Sequence, residues 1–111
     1  MAIAGIHLTR IGNGNFLLEP RRSMNIQDQH MLMQEIVARI QAERGERLYY
    51  DLDGIPIIDP VYYDWLDKLA RTCKAMNINM VCINMQPTAA FTLSKFLTTK
   101  PIFETALAVP D

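Results

Sequence analysis

Two prolines constrain the fold of this sequence more than any other feature, because each stands where a helix is expected to begin. Pro60 and Pro87 both lie between a short apolar run and a segment with helical periodicity. Proline at the first helical position loses no hydrogen bond, since the N–H at that position is unpaired in any helix. The sequence therefore predicts two consecutive strand–turn–helix units, with Asp59 as the cap of the first of these helices.

The predicted strands are short apolar runs bounded by turn residues. Residues 3–11 and 16–18 are separated by Gly-Asn-Gly-Asn, which predicts an antiparallel hairpin. Further strands are predicted at residues 48–52, 78–83 and 105–109. The successive apolar residues in the 78–83 run are typical of a parallel strand that is covered on both faces.

Apolar residues recur at helical spacing in three segments between these runs. The first helix is expected to begin near Ser23 or Asn25 and to end at Gly45. The other two helices begin at Pro60 and Pro87. The resulting order is β-β-α-β-α-β-α-β, in which two βαβ crossovers favour parallel neighbours.

Length and composition suit one folded domain. The chain has 111 residues, and we predict a single α/β domain over residues 1–111, with a mixed sheet in which only the hairpin is antiparallel. Eleven basic residues against twelve acidic ones argue against a nucleic-acid-binding surface. No apolar run approaches the roughly 20 residues that cross a bilayer, and the N-terminus does not resemble a secretion signal. Cys73 and Cys82 are expected to be buried, reduced thiols, so the predicted location is the cytoplasm.

The acidic run DLDG at residues 51–54 raises the question of catalysis. A phosphatase of the haloacid dehalogenase type would use Asp51 as nucleophile and Asp53 as acid or base, with a magnesium ion balancing their charge. The chain that follows has no acidic pair after Asp67 to complete such a metal site, and it lacks the lysine that a receiver domain needs after its last strand. The two histidines have no serine or cysteine in a nucleophile elbow to match. We therefore predict no enzyme activity, no catalytic or metal-binding residues and no cofactor.

Two parts of the sequence resemble the STAS family, the sulfate transporter and anti-sigma factor antagonist domains. The run LDGIPIID at residues 52–59, between a predicted strand and a predicted helix, is similar to the hallmark loop of that family. Residues 83–93 (INMQPTAAFTL) and 102–107 (IFETAL) resemble the stressosome branch, in which a strand, a Gln/Arg-Pro turn and a helix recur. The order of elements agrees over essentially the whole chain. The resemblance therefore implies a single STAS domain with the SpoIIAA-like fold.

The resemblance implies a role in signal transduction and stress response. STAS family members bind partner proteins, and a serine/threonine kinase switches them by phosphorylating the hydroxyl that directly follows the conserved Asp. This chain is therefore expected to form homo-oligomers and to bind other STAS proteins and a switch kinase of a stressosome-like complex. The expected partner-binding residues are Asp53, Gly54, Ile55, Asp59, Pro60, Tyr62, Tyr63, Gln86 and Pro87.

Pro60 departs from the family pattern, because it occupies the position of the phosphorylated residue after Asp59. Proline has neither a hydroxyl group nor an N–H, so the usual switch site is missing. Either the protein is a permanently unphosphorylated scaffold or antagonist at this site, or control has moved to Thr92 or Thr88. We prefer the first alternative.

Two further expectations concern surfaces. STAS family members commonly place another helix after the last strand, and this sequence stops shortly after that strand. Tyr62, Tyr63 and Trp65 are therefore expected to form an exposed aromatic patch suited to self-association. A different function, the sensing of a small ligand or nucleotide, would use a cleft between residues 53–59 and the turn at Gln86.

Overall fold

A mixed sheet of five strands organises the part of the chain that the computed structural model describes, which is residue 3 and residues 5–110. The strands are β1 (Ile6–Gly12), β2 (Asn15–Pro20), β3 (Arg47–Asp51), β4 (Asn79–Ile83) and β5 (Glu104–Ala106). The helices are α1 (Gln29–Ala42), which follows a 3-10 turn at Ile26–Asp28, α2 (Pro60–Ala75) and α3 (Pro87–Ser94). Residue 4 of the first predicted strand, and residues 1, 2 and 111 of the predicted domain, lie outside the described residues.

The pairing of the strands confirms the predicted mixed sheet. β1 and β2 form an antiparallel hairpin, in which Leu8 lies opposite Leu18. The pairs β2–β3, β3–β4 and β4–β5 are all parallel. Each parallel pair is joined by one helix, so the described residues contain three βαβ units rather than the two predicted. The carboxyl ends of β2, β3, β4 and β5 therefore lie at the same edge of the sheet.

The two faces of the sheet are covered by different parts of the chain. Alternate residues of a strand point to opposite faces, and Leu48 and Tyr50 of β3 are buried in the main core with side chains of α1 and α2. Tyr49 points to the other face, where it packs with Val81 of β4 and with Val109. Four of the five residues of β4 are buried, as its continuous apolar run predicts.

The last strand differs from its prediction. β5 spans Glu104–Ala106 rather than residues 105–109, and its residues are exposed. The N–H of Asn84 donates a hydrogen bond to the carbonyl of Leu107 at 3.2 Å, and Val109 packs against the second face of the sheet. The apolar Val109, which suggested a longer strand, therefore covers the sheet instead of extending it.

The ends of α1 also differ in detail from the prediction. Asn25 accepts a hydrogen bond from the N–H of Gln27 at 3.0 Å, so it caps the 3-10 turn rather than α1 itself. At the other end, the left-handed residue is Arg44 (φ 56°) rather than Gly45. Gly45 is required for a different reason, because a Cβ there would lie 2.4 Å from Cγ2 of Ile40. The glycine lets the chain that leaves α1 pass close against the helix.

Candidate functional site

β3 and β4 end side by side, and hydrogen bonds to Asp51 connect the segments that follow them. Its Oδ1 atom accepts hydrogen bonds from the N–H of Asp53 at 2.9 Å and from the side-chain amide of Asn84 at 3.1 Å. The N–H of Leu52 donates to the carbonyl of Ile83 at 2.9 Å. The aspartate that resembles a phosphatase nucleophile thus has a structural role at this edge of the sheet.

The loop after β3, here called the 53–59 loop, is held by α3 through main-chain atoms. The side-chain amide of Gln86 donates a hydrogen bond to the carbonyl of Asp53. The hydroxyl of Thr88 donates to the carbonyl of Pro56. Both bonds use main-chain acceptors, so they fix the path of the loop without engaging its side chains.

Thr92 contacts the same loop one turn further along α3. Its hydroxyl accepts a hydrogen bond from the N–H of Ile58 at 3.3 Å. The same hydroxyl donates within its own helix, where the carbonyls of Ala89 and Thr88 lie at 3.0 and 3.2 Å. Thr92 is half-buried, whereas Thr88 is exposed. Of the two threonines predicted as phosphorylation sites, Thr88 is therefore the more accessible.

Asp59 caps α2 as predicted. Its Oδ1 atom accepts a hydrogen bond from the N–H of Tyr62 at 2.7 Å, and Pro60 stands at the start of the helix. The N–H of Tyr63 donates to the carbonyl of Asp59 at 2.9 Å, which closes the first turn. A carboxylate at this end also interacts favourably with the helix dipole. The start of α2 is therefore intact without a hydroxyl-bearing residue at position 60.

Ile57, Val61 and Phe91, here called the apolar trio, are large apolar side chains exposed around the 53–59 loop. Their exposed fractions are 58%, 66% and 62%. Ile57 lies beside α3, because its two chain neighbours both hydrogen-bond that helix. Val61 lies in the first turn of α2, and Phe91 lies in α3, where Nζ of Lys95 is 4.6 Å from its ring centroid. This trio was not predicted from the sequence, although Val61 and Phe91 fall outside the buried stripes of their helices.

The predicted partner-binding residues come together at this end of the sheet but differ in accessibility. The exposed ones are Asp53, Gly54, Asp59, Pro60 and Pro87. The half-buried ones are Ile55, Tyr62, Tyr63 and Gln86. Five of the nine predicted residues are therefore exposed and four are half-buried.

The prediction of an exposed aromatic patch is wrong. Trp65 is fully buried, and its Nε1–H donates to the hydroxyl of Tyr50 at 2.9 Å. The hydroxyl of Tyr62 lies 2.6 Å from the same oxygen, and burial raises the pKa of Tyr62 to about 12. Tyr63 packs edge-on against Phe96, with ring centroids 5.7 Å apart. Trp65 and Tyr62 pack in or against the core, where hydrogen-bond partners for their polar atoms are present.

An open cleft of about 560 Å³ lies beside the turn after β4. The predicted ligand cleft lay between the 53–59 loop and the turn at Gln86, but hydrogen bonds from Gln86 and Thr88 join those two segments. The open space lies instead on the side of β5. It is lined by Asp53 and by residues 84–87 and 105–107.

Similarity to known proteins is found at the level of structure. No family model and no curated protein sequence matches the chain. A structure of the stressosome, described as a signal integration and transduction hub, has a TM-score of 0.77 and 16% identity, covering 93% of this chain and 89% of that chain. A Ser-to-Glu variant of RsbS from Moorella thermoacetica has a TM-score of 0.73 and 16% identity, covering 94% of this chain and 87% of that chain. A proposed anti-sigma factor antagonist from Thermotoga maritima has a TM-score of 0.68 and 11% identity, covering 94% and 87%.

These similarities cover 93 to 94% of the chain. At 11 to 16% identity they concern the fold. Within the described residues, no helix combines the length and the apolar character needed to span a bilayer. From the structural similarities, the chain has the STAS-domain, RsbS-like fold.

Proposed function

We propose that this chain is a non-catalytic STAS-domain regulatory protein, an anti-sigma factor antagonist-like component of a stressosome-type complex in the cytoplasm. It binds other STAS proteins, including copies of itself, and a serine/threonine switch kinase. The observation that carries the proposal is the exposure of the apolar trio around the 53–59 loop. That loop is the segment to which the family resemblance assigns partner binding.

The surroundings of the apolar trio favour association with a protein. Burial of apolar surface contributes about 25 cal/mol per Å², and exposed apolar side chains with a polar rim mark interaction sites. Asp53 and Asp59 at the two ends of the loop are exposed, as is Lys95 over the ring of Phe91. The fold similarity to RsbS and to the stressosome supports partners of the STAS class.

Pro60 determines the regulation that we propose. A phosphate directly after Asp59 would add negative charge beside the docking loop and repel an acidic partner surface. Pro60 cannot accept a phosphate, and the cap of α2 by Asp59 persists without one. The protein therefore stays competent for docking at this site. If a kinase acts on α3 instead, Thr88 is the more exposed of the two threonines, although its hydroxyl bonds the carbonyl of Pro56.

Light scattering tests the proposal on the purified chain, alone and mixed with the STAS proteins and switch kinases of its own organism. We expect a homo-oligomer, and a complex with at least one of these proteins. A strict monomer that binds none of them contradicts the proposal.

Incubation with the switch kinase and ATP separates the two forms of regulation. The wild type is expected to take up no phosphate, whereas Pro60→Ser accepts one at its new hydroxyl, near the positive end of the helix dipole. Pro60→Ala, which lacks a hydroxyl, is the control. Stoichiometric phosphate on Thr88 or Thr92 of the wild type would overturn the scaffold form of the proposal and favour control through α3.

The second candidate function is the sensing of a small ligand or nucleotide. It is favoured by the position of the cleft beside β5, because α/β sheets bind ligands in crevices outside the carboxyl ends of their strands. A thermal-shift screen with nucleotides tests it, since a ligand that binds only the native state raises Tm by mass action. If no nucleotide in the screen raises Tm, the result counts against this function.

A further inference from the structure

We propose that α3 is a positioning element for docking. Gln86, Thr88 and Thr92, here called the clasp, set the shape of the 53–59 loop and couple its opening to that of α3. The inference rests on the proposed function, because it concerns how the docking loop is kept ready for a partner. It gives these side chains a positioning role, exerted through the loop.

The clasp contacts the loop in the order of the sequence. Gln86, Thr88 and Thr92 bond successive points between residues 53 and 58. Each contact is with a main-chain N–H or carbonyl of the loop. Main-chain contacts do not depend on the exposed side chains of the loop. α3 thus holds the loop in addition to the hydrogen bonds that the N–H groups of Asp53 and Ile55 donate to Asp51 and Leu52.

Ile58 is the loop residue whose main-chain N–H most needs a hydrogen-bond partner from the clasp. Its side chain is fully buried, whereas the other residues of the 53–59 loop are exposed or half-buried. A main-chain N–H beside a buried side chain is normally paired, and here the hydroxyl of Thr92 is the acceptor. Because the same hydroxyl also engages the carbonyl of Ala89 at 3.0 Å, it links the loop to the backbone of α3.

α3 has a small buried surface. Of its eight residues, all within the described part of the chain, Ala89 and Leu93 are buried. Gln86 stands at the N-cap position without a side-chain capping bond, and its amide N–H is bonded to the loop. A short helix with few buried side chains opens at low free energy. Since the loop is bonded to this helix, opening of α3 releases the loop, and the two form one cooperative unit.

Hydrogen exchange at the Ile58 amide reports directly on its hydrogen bond to Thr92, which is one contact of the clasp. In Thr92→Val the amide loses its acceptor, so its protection is expected to fall at least about fivefold, the change for one lost hydrogen bond. Thr92→Ser keeps the hydroxyl and restores the protection. Ser94→Ala is the matched control, because the hydroxyl of Ser94 bonds the carbonyl of Phe91 within α3 at 2.7 Å. It leaves the protection of Ile58 unchanged.

A second readout is the affinity for the STAS protein or kinase that binds the wild type. Thr88→Val and Thr92→Val are expected to weaken this affinity about fivefold, and Thr92→Ser restores it. Urea unfolding of each variant shows that the protein under test is folded. If Thr92→Val does not fold, exchange of the loop amides in Thr88→Val decides the same point.

The possible failures point to different conclusions. Equal protection of Ile58 in Thr92→Val and Ser94→Ala would overturn the clasp. Lower protection with unchanged affinity would overturn its role in docking. A wild type that binds no partner contradicts the proposed function, while exchange at Ile58 still decides whether the clasp holds the loop.

Discussion

The hydroxyl oxygens of Tyr50 on β3 and Tyr62 on α2 lie 2.6 Å apart. Trp65 donates its Nε1–H to the oxygen of Tyr50 at 2.9 Å, and both Tyr50 and Trp65 are fully buried. This network joins the strand before the 53–59 loop to the helix after it. Both ends of the 53–59 loop are thus fixed to the same part of the core.

Tyr50→Phe removes the oxygen that Tyr62 and Trp65 share. We expect it to lower the free energy of unfolding by about 1–3 kcal/mol, because the N–H of Trp65 stays buried without a partner. Tyr62→Phe leaves the bond between Tyr50 and Trp65 intact, so its expected cost is about 1 kcal/mol. Urea unfolding measures both variants. Tyr63→Phe, outside the network, is the control, and equal losses in all three variants would contradict this ranking.

Alkaline pH is expected to destabilise the domain through Tyr62. Burial raises the pKa of Tyr62 to about 12, whereas a tyrosine in an unfolded chain has a pKa of about 10. An acid with a higher pKa in the folded state favours folding while it is neutral. Its contribution is therefore complete below about pH 10 and is lost as the pH rises towards 12.

The urea midpoint of unfolding measures this pH dependence. We expect the part of its fall that depends on Tyr62 to lie between about pH 10 and pH 12, so the midpoint falls less in Tyr62→Phe. Burial also raises the pKa of the Cys73 thiol to about 12, which acts in the same direction. The difference between wild type and Tyr62→Phe is therefore the relevant quantity. If the urea midpoint had the same pH dependence in the wild type and in Tyr62→Phe, Tyr62 would not be the group responsible.

Gly45→Ala tests the close approach at the end of α1. The new Cβ would lie 2.4 Å from Cγ2 of Ile40 and 2.8 Å from Cε1 of Phe16, and we expect such overpacking to cost about 1–3 kcal/mol. Gly54→Ala is the matched control, because a Cβ at Gly54 meets nothing within 4 Å. Thermal unfolding measures the Tm of both variants. Equal Tm values would show that the close contact at Gly45 tolerates a Cβ.

Ile57→Lys tests the apolar trio as a docking surface. The side chain is 58% exposed, so the substitution is expected to leave the stability of the domain nearly unchanged. Placing a charge in an interface core is expected to weaken partner binding at least about tenfold. Met31→Lys, at a position that is 61% exposed on α1, is the control and binds normally. Titration calorimetry measures both, and equal affinities would remove Ile57 from the interface.

The parts of the fold that could be predicted are those that depend on local chemistry. Pro60 and Pro87 mark the starts of α2 and α3, because the backbone angle and missing N–H of proline suit that position in any protein. The spacer of the hairpin and the continuous apolar run of β4 likewise act within a few residues. The end of the sheet at which the predicted site residues gather follows from the parallel order of the strands.

The features that could not be predicted depend on residues far apart in the sequence. The partner that satisfies the N–H of the buried Trp65 is Tyr50, on a different element. β5 ends early because Val109 finds apolar contacts on the second face of the sheet. The exposure of Phe91 and the contact of Thr92 with the loop depend on how α3 lies against the 53–59 loop. Periodicity within one segment carries no information about such pairings.

The main-chain character of the bonds between α3 and the 53–59 loop has a consequence for how such a protein can diversify. Side chains such as Ile57 take no part in holding the loop, so they are open to substitution at little cost to the fold. Descendants of one ancestral gene can therefore acquire different binding preferences by changing a few exposed positions while the scaffold stays the same. For protein engineering, this makes the loop a site where a new specificity can be grafted, provided that α3 is retained.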